Sequence, residues 1–362
     1  MRVDKHIDNL LLSLFSTDAI SKLENRMFSP SQWEELIREC AAQGLLSIVW
    51  DSLQRNQPAW DSFSNHCPTP VKLRWALSAE RIEEKYNKRK QLSCEFADIL
   101  YEQGIKLYCL KGLALSACYP KPSTREFSDF DCWTEGLSDQ VIQIAQANGA
   151  TYDPHDYRHS VLSYKGLMIE NHRYFLPIRG NARNKRLERY LQAVAPYDKK
   201  IEGTNIYYIS PQAHSLFVVL HMLQHFLYEN ITIRHLLDWH YLVEAERNNI
   251  DWREFNQKCD EAVATKFVEA INDVCVRHFG LSLDGTLLRA DDSYSQRVLD
   301  DIINRSSIHV SSVQSLWKQR LAKVKNMVAQ SWKFNELYDR SLISSMLQST
   351  TGILFDSKVK FY

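Results

Sequence analysis

Asp129 and Asp131 stand one residue apart in SDFDCWT (128–134). If that stretch is a strand, side chains alternate, so both carboxylates share one face while Phe130 and Cys132 point into the core. Like charges this close repel unless a cation neutralises them. Hard oxygen donors of this kind suit Mg²⁺, which is commonly held by one or two carboxylates together with substrate phosphates. In GLMIENHRYF (166–175), Leu167 and Ile169 alternate with Met168, Glu170 and His172, which sets Glu170 on the polar face. If the two strands are neighbours, three carboxylates converge, an arrangement that gathers two Mg²⁺ (or Mn²⁺) ions for in-line phosphoryl or nucleotidyl transfer.

The elements that must position these acids are legible as a helical, then a mixed, then a helical stretch. Ser31-Gln-Trp-Glu34 reads as a capping box opening a helix with Trp33, Leu36, Ile37 and Cys40 on its apolar face, ended by Gly44. A long amphipathic helix is expected from Pro70 to about Gln103, with Leu73, Leu77, Leu92, Phe96, Ile99 and Leu100 as its buried stripe and the charged middle ERIEEKYNKRKQ as a solvated face. IKLYCL (105–110) and SDFDCWT read as strands, SVLSYKGLMIENHRYF (160–175) as two strands joined by a turn at Lys165-Gly166, and NIYYI (205–209) as one more. Short helices are expected in GLALSACY and in LSDQVIQIAQANG, the latter ended by Gly149. After Ser210-Pro211 come helical segments QAHSLFVVLHMLQHFLYEN, IRHLLDWHYLVEAERNN and DWREFNQKCDEAVATKFVEAINDVCVRHFG, the last with Asp251 as N-cap. A polar stretch at 283–295 precedes a last helical region. The expected fold class is α+β, a small mixed sheet flanked by helices, with boundaries at 1–103, 104–210 and 211–362.

The stretch KGLALSACYPKPSTREFSDFDCW, with the long helix and IKLYCL before it, resembles the uncharacterised nucleotidyltransferase family of the DNA-polymerase-β-like superfamily. That family's pattern is an apolar strand, Lys-Gly, an apolar helix ending in Tyr-Pro, then Arg, then Asp-x-Asp. Lys111, Gly112, Tyr119, Pro120, Arg125, Asp129 and Asp131 stand at those places. IENHRYF continues it with an acid closely followed by His, as does LHMLQHFLYENITIRHLLDWH with its His, His, Arg and Asp; the whole spans about residues 30–260. The resemblance implies that Asp129 and Asp131 hold metal ions, and that Glu170 binds the catalytic one and helps take the acceptor's proton. Gly-Leu stands at 112–113 where the wider superfamily has Gly-Ser, and Glu170 where it commonly has Asp. Phosphate binding is therefore expected from backbone N–H groups after Gly112, with Lys111 and Arg125 as side-chain donors. His172, His225 and Arg234 are candidates to border the cleft.

Other constellations carry less. His221 and His225 in HMLQH have zinc-binding spacing, but Met222 stands where a metalloprotease needs glutamate. Arg234 and Asp238 read as a helix ion pair. RGNARNKRLERY (179–190) carries five basic residues against Glu188 and follows the Glu170 strand, so it can flank the cleft. WKQRLAKVKNMVAQSWK (317–333) reads as a basic amphipathic helix.

Composition narrows the function classes. The 44 basic and 44 acidic residues of the 362-residue chain cancel, so any phosphate site must be local. This balance favours a small molecule or a protein as acceptor for a nucleoside triphosphate; nucleic acid is disfavoured, with tRNA left open. No apolar run approaches the ~20 residues of a spanning helix and no secretory leader is legible, so a cytoplasmic protein without membrane contact is expected. The eight cysteines show no C-x-x-C pair and read as reduced core thiols. The competing class is a helical binding or scaffold protein that keeps a transferase-like core only as architecture.

Overall fold

The computed structural model describes residues 29–154, 157–282, 292–305 and 331–338. The stretch at 283–291 and most of the basic run, 317–330, fall outside them, as does the N-terminal segment.

Four helices come first: α1 (Pro30–Ala42), α2 (Leu46–Arg55), α3 (Gln57–His66) and the 34-residue α4 (Thr69–Glu102). The capping box of α1 lies two residues earlier than expected. Ser29 accepts from the Gln32 N–H and Gln32 reaches back to the Ser29 N–H. Pro30 explains the shift, since its fixed φ and missing N–H suit the first helical position.

The expected stripe of α4 is half right. Phe96 and Leu100 are buried, but Leu73 and Leu77 are 59% and 50% exposed, and Val71, Trp75 and Ala79 carry the burial instead. A cluster of aromatics decides this, because Trp75 packs edge-on against Phe63 at 5.6 Å and donates its indole N–H to the Leu46 carbonyl. Nor is the charged middle merely solvated. Glu83 accepts from Lys121 and Ser123, Arg89 donates to the Phe127 carbonyl, and Tyr86 packs on Phe127, so α4 clamps the loop leading into the Asp129 strand.

The middle holds β1 (Leu107–Cys109), α5 (Gly112–Ser116), β2 (Asp129–Trp133), α6 (Ser138–Ala147), β3 (Thr151–Asp153), β4 (His159–Tyr164), β5 (Leu167–His172), α7 (Ala182–Val194) and β6 (Ile206–Tyr208). The six strands form one mixed sheet in the order β3-β4-β5-β2-β1-β6. β2 runs parallel to β5 and antiparallel to β1, and β3 is a short strand the alternation did not predict. Lys165 and Gly166 both have positive φ, 49° and 84°, the two-residue hairpin geometry that matches strand twist.

One sheet face packs under α4 and α6. Phe96, Leu100, Val141 and Ala145 meet Phe130, Cys132, Leu162 and Ile169 there. Burying a ring such as Phe130 contributes about 1.5–3 kcal/mol. The opposite face carries the acids, and a second, larger core of helices closes over its far end.

That core comprises α8 (Pro211–Tyr228), α9 (Ile233–Glu246), α10 (Trp252–Ala262), α11 (Thr265–Phe279), α12 (Asp292–Arg305) and α13 (Ser331–Tyr338) with the N-terminal helices. Ser210 caps α8 and Asp251 caps α10. The stretch expected as one helix from 251 breaks at Val263, whose left-handed φ of 58° ends α10 and starts α11 on a new axis. No described helix is long and apolar enough to cross a membrane. All eight cysteines are unpaired.

Candidate active site

Backbone pairing, more than side-chain reach, gathers the acids. In the parallel β2–β5 ladder Asp131 lies opposite Glu170 and Asp129 opposite Met168. Asp129 and Asp131 share a face by alternation, so Asp129, Asp131 and Glu170 each offer an oxygen within 4.8 Å of the others. Phe130 and Cys132 are fully buried on the other side. Hard oxygen donors from neighbouring strands, converging on one point, fit a divalent ion of the magnesium type.

Two cationic groups lie against these carboxylates. Lys111 Nζ is 3.0 Å from Asp131 Oδ2, and His172 Nε2 is 3.1 Å from Asp131 Oδ1 and 3.7 Å from Glu170 Oε2. Burial works to raise the Asp131 pKa, but Lys111 and His172 more than offset it and hold the carboxyl well below its ordinary range. Burial likewise works against ionised Glu170, and the hydrogen bond from His172 brings it below normal. Burial and then the neighbouring Asp131 charge raise Asp129, outweighing the Lys111 charge and the Ser128 hydroxyl that donates to it at 3.0 Å. Burial opposes a charged His172, and its two carboxylate partners nonetheless raise its pKa. The acids are thus differentiated, Asp131 held firmly ionised and Asp129 pushed toward its protonated form.

Lys111 reaches the site because the chain turns sharply after β1. Gly112 takes φ 41°, and the peptide re-enters at once as α5. The backbone donors of that five-residue helix are turned inward: the amides of Leu113 and Ala114 face the Cys109 sulfur, and Ala114 N–H also donates to the Lys111 carbonyl. Lys111 Nζ lies 3.3 Å from His221 Nε2 on α8. Burial and then the Lys111 charge push His221 well below the ordinary histidine pKa, so it faces the ammonium as a neutral acceptor.

The remaining candidates divide. Among the described residues Lys111, Asp129, Asp131, Glu170 and His172 form one group. The His225 ring lies tilted against that of His221 at 4.4 Å, and His225 pairs with Glu229 at 2.7 Å. Arg125 and Arg234 converge instead on Asp238. Arg125 is 3% exposed, donates twice to that carboxylate at 2.6 and 2.8 Å, and reaches the Gly112 carbonyl at 3.4 Å. Arg234 is 3.6 Å from Asp238, as the helix spacing predicts, and its stem packs over Gly44. Tyr119 also donates to Asp238, at 2.7 Å.

Sequence reasoning missed His159 and underrated His221. His159 pairs with His172 across β4–β5, bringing its Nε2 to 3.6 Å from Glu170 Oε2. The signal was present: with a two-residue turn at Lys165-Gly166, Tyr164 faces Leu167, and counting outwards sets 159 opposite 172.

A family model described as "Uncharacterised nucleotidyltransferase" matches residues 29–280. The chain belongs to that family. The match covers the sheet, the Lys-Gly turn, the acidic strands and the helices through α11, so the uncharacterised nucleotidyltransferase unit extends well beyond the small sheet. No curated protein matches the chain. A solved tRNA nucleotidyltransferase, complexed with a primer tRNA and an incoming ATP analog, is 15% identical over 73% of this chain and 87% of its own, with a TM-score of 0.21, too low to define a shared fold.

Proposed function

We propose that the protein transfers a nucleoside monophosphate from a nucleoside triphosphate to an acceptor hydroxyl or phosphate, releasing pyrophosphate. Family membership supports nucleotidyl transfer in general. The observation that carries the rest is the convergence of Asp129, Asp131 and Glu170, set by the β2–β5 register.

In the reaction the acceptor oxygen attacks the α-phosphorus, the bond from that phosphorus to the bridging oxygen breaks, and pyrophosphate leaves with the electron pair. Asp129, Asp131 and Glu170 would hold Mg²⁺ or Mn²⁺, which when bound neutralises phosphate charge and lowers the cost of the developing negative charge. Glu170, ionised and only partly buried, takes the acceptor's proton. Lys111 donates to the triphosphate from the mouth of the site, with His221 behind it steering the ammonium. Arg125, committed to Asp238 and to the Gly112 carbonyl, fixes the turn that presents Lys111. His172, with a proton on Nε2, keeps Asp131 and Glu170 ionised and oriented as long as that nitrogen carries no metal ion. A small molecule or a protein is the favoured acceptor, and the cytoplasm the favoured location.

The test is to incubate purified protein with each α-radiolabelled nucleoside triphosphate, Mg²⁺ or Mn²⁺ and a cell extract as acceptor pool, beside the Asp129→Ala/Asp131→Ala double variant. Label transfer and pyrophosphate release that vanish in the variant support the proposal. Failure of every nucleotide to bind or react would leave the scaffold reading in its place.

A further inference from the structure

Three strands, not two, contribute to the polar face of the sheet. His159 on β4 is cross-paired with His172 on β5, and Glu170 sits two residues before His172, so all three side chains project to the same side. The imidazole rings lie 5.2 Å apart and only 31° from parallel. His159 Nε2 and His172 Nε2 stand 3.6 and 3.7 Å from the same oxygen, Glu170 Oε2, and the three donor atoms fall within 4.8 Å of one another. Two donors each about 2.1 Å from one ion lie roughly 3.0–3.4 Å apart in octahedral or tetrahedral geometry. The two histidine–carboxylate spacings therefore need to shorten by only a few tenths of an ångström to hold one ion.

Independent of that spacing is the orientation of His172. Its Nδ1 lies 3.4 Å from the Tyr174 carbonyl, in position to donate there, which turns Nε2 toward the carboxylates. A backbone carbonyl behind one imidazole nitrogen is the arrangement that orients metal-ligating histidines and fixes which nitrogen binds. His172 is also wholly buried and His159 nearly so, so the ligand atoms are held by the sheet rather than by mobile side chains.

We propose that His159, Glu170 and His172 form a mixed nitrogen–oxygen site for a transition-metal dication of the Mn²⁺ to Zn²⁺ class, sharing Glu170 with the acidic strand pair. Imidazole nitrogen favours these ions over Mg²⁺, which takes oxygen. The shared carboxylate places two unlike cation positions side by side: one all-oxygen at Asp129, Asp131 and Glu170, one with two nitrogens at the β4–β5 hairpin. The proposal adjoins the transfer reading but rests on ligand geometry alone.

The experiment loads the full chain with one equivalent of Mn²⁺ in excess Mg²⁺, without nucleotide, and records electron spin-echo envelope modulation. Modulation from directly bound nitrogen, changing frequency when the protein is made with nitrogen-15 histidine, is the expected result and needs no substitution. An oxygen-only ion would overturn the proposal. His159→Gln, checked for folding by near-ultraviolet circular dichroism, is expected to make the nitrogen modulation shallower, leaving that of His172 alone, and to weaken Mn²⁺ binding roughly tenfold or more; unchanged affinity and spectrum would overturn it equally. Because nothing is transferred in this assay, its failure and failure of the nucleotidyl-transfer reading are read separately.

Discussion

Arg125 and Asp238 form a two-pronged ion pair, at 2.6 and 2.8 Å, between the loop ahead of the acidic strand and helix α9. Both side chains are about 5% exposed or less, and Tyr119 adds a third hydrogen bond to the same carboxylate. Removing Asp238 leaves Arg125 a buried charge without its carboxylate, and removing Arg125 leaves Asp238 with only Tyr119 and the more distant Arg234. Arg125→Met or Asp238→Leu alone is therefore expected to destabilise the protein by about 3–5 kcal/mol in urea denaturation, whereas the double replacement recovers much of the loss. Two single losses that simply add would show that the pair does not act as a unit.

The pH dependence of stability should lean on His214 and Asp238. Burial drives His214 down to about 4 from an ordinary value near 6.5. Burial works to raise Asp238, but Arg125 overrides it and brings the group to about 2. Both folded-state values are depressed, so in both cases the unfolded chain binds more protons and stability falls with acidification. His214 gives a decline between pH 6.5 and 4, about 3 kcal/mol in all, and Asp238 a further decline from pH 4 towards 2. Denaturant midpoints measured across pH 7 to 4 should slope in the wild type and slope less steeply in His214→Gln, the remaining decline coming from His221, His235 and His240, which burial also holds below the ordinary value. A flat wild-type profile would contradict the burial of a neutral imidazole.

Gly112→Ala tests the turn that presents Lys111. An added Cβ would meet Phe127 at 3.5 Å and the Asp129 carbonyl at 3.8 Å, which is ordinary contact, so the cost comes from the positive φ of 41°. A loss of about 1–2 kcal/mol is expected by chemical denaturation. A neutral substitution would mean the turn relaxes freely.

Lys111→Met removes the charge-assisted donor proposed above for the triphosphate, a contact of about 1.5–3 kcal/mol. Affinity for a non-hydrolysable nucleoside triphosphate with Mg²⁺, followed by calorimetry, should weaken roughly tenfold to a hundredfold. Unaltered binding would assign Lys111 to Asp131 alone.

Asp129, Asp131 and Glu170 were legible because alternation in a strand is a local rule, and the Lys165-Gly166 hairpin was legible because turn chemistry is local too. What local rules cannot supply is the partner across space. Asp238 looked like a simple match for Arg234 one turn away, and nothing within helix α9 announces that Arg125 claims it more tightly. Leu73 and Leu77 likewise satisfy a helical stripe, yet the tryptophan cluster at Trp50, Trp60 and Trp75 turns α4 so that both face outward. The break at Val263 escaped because a valine with left-handed φ follows from how two helices pack, not from its own preference.

The parallel pairing of β2 with β5 has a further consequence for how the protein comes into being. Between Asp131 and Glu170 the chain must run through α6, β3 and β4 before it returns, so no short fragment contains the proposed ion site and the unfolded chain does not bring these charges together. Cation affinity and folding are then two readings of one equilibrium. A substitution deep under the sheet, far from any ligand, should loosen the hold on the ion in proportion to its damage, while added dication should rescue weakened variants by mass action.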